Sequence, residues 1–149
     1  MSSFAPESAA GSTAFQNPSD GVIRSILSQP RRIAVVGCSP RPERDSHRVA
    51  RVLLDNGHDV VPVHPRAAEI FGRTCYPTLR AVPGAVDMVD VFRRADEAGA
   101  AVDDAIAIGA RIVWLQLGVI DAAAAARAQA AGLTVIMDRC PAIEYRRLF

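Results

Sequence analysis

The stretch "RRIAVVGCSPRPERDSHRVARVLLDNGHDVVPVHP", residues 31–65, decides the fold. "RIAVVG" is a short apolar run ending in glycine, the pattern of a buried strand that leaves through a tight turn. From Asp45 to Asn56 the positions of Val49, Val52 and Leu53 are helically spaced. Asp45 or Ser46 can cap the start, and Gly57 suits the left-handed position past the end. "DVVPV" then reads as a second strand, so the unit is a parallel strand, helix, strand crossover. It opens like a nucleotide-binding unit, yet beyond Gly37 the remaining glycines of a GxGxxG turn are missing.

Outward from this unit the same alternation continues. "DMVDVF" (87–92), "RIVWLQL" (111–117) and "LTVIM" (133–137) read as strands. Between them, a helix over about 96–108 sets Ala98, Ala101, Val102, Ala105 and Ile106 on one stripe and turns Glu97, Asp103 and Asp104 to water. The next, "DAAAAARAQAAG", is bounded by Asp121 and Gly132, caps that mark a close helix-to-sheet contact rather than a low-complexity segment. Upstream, "SDGVIRSILSQP" places Val22, Ile23, Ile26 and Leu27 on one helical face, with Ser19 or Asp20 as cap and Pro30 as stop. The expected class is therefore α/β: one domain over residues 19–149, an open, mainly parallel sheet with helices on both faces. Residues 1–18, small, polar and proline-containing, read as a flexible tail with no signal-peptide pattern.

Composition narrows the function. A net charge of +1 gives no field to recruit nucleic acid or an acidic membrane. No apolar run approaches the roughly 20 residues that span a bilayer. Cys38, Cys75 and Cys140 are odd in number and widely separated, with no metal-ligand spacing, so neither a disulfide framework nor a zinc site is expected and a reducing cytoplasm fits.

In open parallel sheets ligands sit beyond the carboxyl ends of the strands, where strand order reverses. Those ends read "GCSP" (37–40), "VHP" (63–65), "VFRR" (91–94), "QLG" (116–118) and "MDRC" (137–140). Gly37 permits the exit from strand one, and backbone N–H groups leading into the helix can donate to phosphate, aided by a partial charge of about +0.5 at the helix N-terminus. Ser39 and Ser46 can add hydroxyl donors; Arg41 and Arg44 either approach the same anion or are solvated. The end of strand two carries His64 and Arg66 where a free ribose diol needs Asp or Glu, which disfavours an ordinary NAD pose and suits a phosphorylated ribose. His64 itself reads as a nucleotide contact or as a loop histidine without one. Cys38 sits near a helix N-terminus, where a thiol can be activated, but has no His–Asp or His–Asn arrangement around it. Trp114 reads as core, Gln116 on the same face as a ligand contact or a structural polar group, and Asp90 as a polar anchor that needs a partner if buried. Cys140 reads as packed structure; Tyr145, Arg146 and Arg147 read as an interaction tail or a solvated end.

The phrases "IAVVGCSPRPERDSHRVARVLL", "VVPVHP", "GRTCYPTL", "VDMVDVFRR", "WLQLGV" and "MDRCPAIE", in that order, resemble the small stand-alone bacterial CoA-binding proteins, which are similar to the CoA-binding domain of the succinyl-CoA synthetase α subunit. The likeness runs from about Ile33 to Glu144. It implies a Rossmann-like fold with coenzyme A laid across the strand-end rim. Gly37, Cys38 and Ser39 would face phosphates, Val63, His64 and Pro65 would lie beside the nucleotide, and Phe92, Arg93, Gln116 and Gly118 would complete the groove. Family members often have Ala in place of Cys38 and Asn in place of His64. In the synthetase, a separate histidine-bearing domain and a partner subunit carry out the transfers, and this sequence supplies neither. The leading expectation is a non-catalytic carrier, sensor or accessory module for CoA or an acyl-CoA, with no nucleic acid or membrane partner. An NAD(P)-dependent oxidoreductase and an interaction subunit of an acyl-CoA ligase are the alternatives.

Overall fold

The computed structural model describes residues 14–149. Its elements are α1 (Asp20–Ser28), β1 (Arg32–Val36), α2 (Asp45–Asp55), β2 (Asp59–Val63), β3 (Glu69–Ile70), β4 (Arg73–Thr74), a 3-10 turn (Leu79–Ala81), β5 (Met88–Val91), α3 (Ala95–Ala107), β6 (Ile112–Leu115), α4 (Ala122–Ala130), β7 (Thr134–Ile136) and α5 (Pro141–Leu148). Five strands pair in parallel in the order β2-β1-β5-β6-β7, and β3 and β4 form a small antiparallel hairpin. The expected α/β sheet is therefore present. Its order reverses between β1 and β5, which pair side by side.

Strand alternation divides the core in two. Ala34, Val36, Val89, Val91, Val113 and Leu115 point toward α3 and α4, whose Ala98, Ala101, Val102, Ala105, Ala124, Ala125 and Ala128 are buried against them. Small side chains let these helices lie close to the sheet, the role expected of the alanine run. Ile33, Val35, Met88, Ile112, Trp114 and Ile136 point the other way, toward α1, α2 and α5. Trp114 is fully buried there and satisfies its indole N–H on the Arg139 carbonyl at 2.9 Å.

Several local expectations change. Ser19 caps α1, accepting from the Val22 N–H at 3.3 Å, but Val22 is 44% exposed and the buried stripe is Ile23, Ile26 and Leu27. The N-cap of α2 is Arg44, with no side-chain cap, rather than Asp45 or Ser46. The C-terminal residues are not a solvated tail: α5 packs against α1 and α2, with Pro141 in its first turn. Tyr145 donates its hydroxyl to the Leu27 carbonyl at 2.9 Å and lies 2.7 Å from His58 Nε2. Because the Arg31 N–H donates to His58 Nδ1 at 3.1 Å, Nε2 carries the proton and the ring is neutral, in keeping with burial lowering its pKa. Arg147 is bound to Asp20 and to the buried Glu144. Of the expected flexible tail, residues 1–13 lie outside the described residues. Asn17 exchanges two hydrogen bonds with the Met137 backbone, at 2.8 and 2.9 Å, and Phe15 packs on the core.

Candidate functional site

A cleft of about 1370 Å³ runs along the carboxyl ends of the strands, between the first turns of α2 and α5. Its floor is set by Gly37. This residue has φ of 84°, and a Cβ there would stand 2.2 Å from the Phe92 carbonyl oxygen. The glycine is thus required by the approach of β1 to β5, where Phe92 N–H donates to the Val36 carbonyl at 2.8 Å.

The turn after β1 differs from the expected open phosphate cradle. Gly37 and Cys38 both donate their N–H groups to the Val63 carbonyl, at 2.9 and 3.2 Å. Ser39 N–H donates to Ser46 Oγ at 2.9 Å, and Arg41 N–H to Ser39 Oγ at 3.1 Å. The backbone donors of the GCS turn are spent on the end of β2 and on Ser46; what remains for an anion is the two hydroxyl protons and the uncapped N–H groups in the first turn of α2. Cys38 is fully buried, so its thiol does not face phosphate, and burial pushes its pKa up to about 12, with Cys75 and Asp90 adding to the shift. That removes it as a thiolate nucleophile at neutral pH.

His64 lines the cleft as a neutral donor. Its Nδ1 accepts from the Arg66 and Ala67 N–H groups at 3.1 and 3.2 Å, leaving the proton on Nε2; burial first, then Arg93 and Arg66, lower its pKa. Around it the cleft carries Arg41, Arg44, Arg66, Arg93 and Arg146, none in an ion pair among the described residues, whereas Arg48 is held by Asp45 and Arg94 by Asp96 and Glu97. A protein of net charge +1 therefore concentrates free guanidinium groups at one rim.

Of the residues expected at the site, Gly37, Ser39, Arg41, Arg44, Ser46, His64, Phe92, Arg93 and Gln116 line this cleft. Four do not. Cys38 and Val63 are buried, Pro65 is exposed beside it, and Gly118 gives its N–H to Asp138 Oδ1 at 2.7 Å. Sequence reasoning missed the far wall: Leu117, Val119, Cys140, Ala142, Ile143 and Arg146, the last three brought in by α5. Proline followed by "AIEYRRL" was the available helix-start signal.

Two groups beside the cleft lack partners. Gln116 is 8% exposed and its Oε1 accepts no hydrogen bond; Asp90, one side-chain row below Phe92 on the same face of β5, is fully buried with neither oxygen bonded. Burial raises the Asp90 pKa to about 8, so the expected anchor is a neutral carboxylic acid at pH 7 and holds nothing. Among the described residues no cluster of three His, Cys, Asp or Glu side chains gathers to hold a metal, and no helix is long and apolar enough to cross a membrane.

The chain is 38% identical to the uncharacterized protein YneT of Bacillus subtilis over 125 residues, 84% of this chain and 93% of that one. A hypothetical protein from Pyrococcus horikoshii superposes with a TM-score of 0.84 at 38% identity, covering 91% of this chain and 97% of the other. The dinucleotide-forming acetyl-coenzyme A synthetase 1 of Ca. Korarchaeum cryptofilum matches with a TM-score of 0.66 at 26% identity, covering 77% of this chain and 28% of the synthetase. The CoA binding domain family model matches residues 31–146, the whole span from the start of β1 into α5, and the chain belongs to that family.

Proposed function

We propose that this cleft binds coenzyme A or an acyl-CoA and that the chain acts as a non-catalytic carrier, sensor or accessory module. The observation that carries the reading is the set of unpaired arginines on the loops after β2, β1 and β5, gathered around the Ser39 and Ser46 hydroxyls and the uncapped start of α2. Coenzyme A offers a diphosphate and a 3′-phosphate, and guanidinium groups bind phosphate in charge-assisted, often bidentate fashion. The strand-two end, with neutral His64 and Arg66 and no carboxylate, favours a phosphorylated over a free ribose, which speaks against the NAD alternative. Non-catalysis is supported by the burial and raised pKa of Cys38.

Thermal unfolding with CoA and with NAD tests the reading. CoA at 100 times its Kd should stabilise the fold by about 2.7 kcal/mol, while NAD does nothing. Strong stabilisation by NAD alone would reverse the assignment. Ser39→Glu, which puts a carboxylate where phosphate should sit, should abolish CoA binding in a folded protein, and Ser39→Ala should cost only about 1 kcal/mol. The likeness to 28% of a synthetase chain favours one second reading, an accessory subunit of an acyl-CoA ligase, which co-purification of a ligase partner would establish.

A further inference from the structure

The cleft changes character along its length, and strand order sets the direction. Moving across the sheet from β2 through β1 to β5, the rim loops supply Arg66, Arg41 and Arg44, and Arg93. From β6 to β7 they supply Leu117 and Val119, then Cys140, Ala142 and Ile143. Two of the polar side chains of this second half bond to the protein, Asp138 accepting from Gly118 N–H at 2.7 Å and Arg139 lying 4.0 Å from Glu144, while Arg146 lines the cleft further along α5. Leu117 and Ile143 are 56% and 40% exposed, and Ile120 on the same loop is 55% exposed. Between the halves stands Gln116, which lines the cleft while its Oε1 is buried beside it without a partner, so that a turn of the side-chain amide would present the oxygen to the opening. An orphaned acceptor at that depth wants an N–H from whatever occupies the cleft. Five strands span about 19 Å, enough for a long ligand to present different chemistry at its two ends.

Building on the CoA reading, we propose that the β6–β7 half is an acyl subsite, so that the chain's ligand is a CoA thioester of an uncharged aliphatic acid. The phosphates lie at the arginine end, an amide N–H of the pantetheine arm meets Gln116 Oε1, and the acyl chain covers Leu117 and Ile143. A charged acyl end, such as the carboxylate of succinyl-CoA, is rejected because the apolar lip cannot solvate it. Arg146 lines the same cleft, three residues or about 4.5 Å of helix rise along α5 from Ile143, so the acyl chain is placed over Leu117 and Ile143 and not against its guanidinium.

Calorimetric titration with CoA, butyryl-CoA, octanoyl-CoA and succinyl-CoA tests this. Each methylene fully covered should tighten binding about fourfold, so octanoyl-CoA should bind at least about tenfold more tightly than butyryl-CoA, and succinyl-CoA about tenfold more weakly than butyryl-CoA. Leu117→Ser and Ile143→Ser should lower the octanoyl-CoA to CoA affinity ratio about fivefold or more, whereas Val22→Ser, an exposed apolar position on α1, should leave it unchanged. CoA binding without chain-length dependence, or succinyl-CoA binding as tightly as butyryl-CoA, overturns the acyl subsite and leaves the CoA reading standing. No binding of CoA itself removes both. If sedimentation shows that Leu117→Ser and Ile143→Ser dissociate a dimer while the affinity ratio stays fixed, the lip is an interface between copies and the proposal fails.

Discussion

Against α3 and α4 the sheet presents only Ala, Val and Leu side chains, and the ionic contacts of those helices, Arg80–Asp104, Arg127–Asp103 and those of Arg94 with Asp96 and Glu97, lie at the surface. Against α1, α2 and α5 the same strands present Trp114 and Asp90, and the packing helices and loops add His58, Ser46, Glu144 and Cys38. One face has the uniform apolar core that makes a domain fold. The other accepts polar groups at depth, some satisfied, as in the His58–Tyr145–Leu27 chain, and some not, as at Asp90 and Gln116. The cleft opens on the second face. The contrast teaches that departures from apolar packing gather where a ligand surface has to be built, while the opposite face supplies stability.

Moving a carboxyl group from one face to the other breaks the comparison most severely. Val89 and Asp90 are adjacent on β5, equally buried and oppositely directed. Val89→Asp puts an unpartnered acid among the alanines of α3 and should cost about 4 kcal/mol or more, a large part of the roughly 5–15 kcal/mol of a typical domain. Circular dichroism should find it largely unfolded. A folded Val89→Asp protein would mean that the two faces tolerate polarity alike.

Asp90 itself gives the next largest effect, and it has a sign. Burial lifts its native pKa to about 8, above the ordinary aspartate value of about 3.9, so the native state keeps a proton that the unfolded chain has released. Its stabilising contribution is complete below about pH 4 and is lost as pH rises toward 8, by at most about 1.4 kcal/mol per pH unit. Denaturant titrations should find the stability of the natural chain relative to Asp90→Asn falling by up to about 4 kcal/mol between pH 5 and pH 8. His58 titration is common to both proteins and cancels. Parallel pH profiles would show that Asp90 has found a partner.

Tyr145→Phe probes the satisfied part of the polar face. It strips a hydrogen bond from the Leu27 carbonyl and another from His58 Nε2, both within the packing of α5 on α1, and should cost about 1–3 kcal/mol by chemical denaturation. A cost near zero would mean that water replaces the hydroxyl and that α5 is held by apolar contact alone.

The apolar face was almost wholly legible in the sequence, because the alternation of Val and Leu in strands and the alanine stripe of Ala98, Ala101 and Ala105 are local patterns. The cationic half of the cleft was legible too: Ser39, Arg41, Arg44, His64 and Arg93 follow directly from strand ends. What escaped is set by tertiary pairing. That Cys38 turns inward depends on Gly37 and Cys38 sharing the Val63 carbonyl, a contact across two strands. That Ile143 and Arg146 reach the cleft depends on α5 folding back over α2, and a segment of eight residues is too short for periodicity to announce. Asp90 was recognised as needing a partner, but only the packed neighbours of β5 reveal that it has none.

The smallest expected effect lies on the apolar face. Arg127 on α4 reaches Asp103 on α3 through Nε at 3.0 Å, joining two helices that the sheet already holds in place. Both side chains are about half exposed, so water and salt screen the pair and its Coulombic gain is offset by the entropy of fixing a long arginine. Arg127→Ala should therefore change stability by less than about 1 kcal/mol, and the difference should shrink further in 0.5 M salt. The aliphatic stem of Arg127 also covers part of α4, so Arg127→Met separates lost packing from lost charge. If Arg127→Met costs more than about 2 kcal/mol at low salt and recovers at high salt, electrostatics hold α3 to α4, and the division of the molecule into an apolar supporting face and a polar binding face no longer stands.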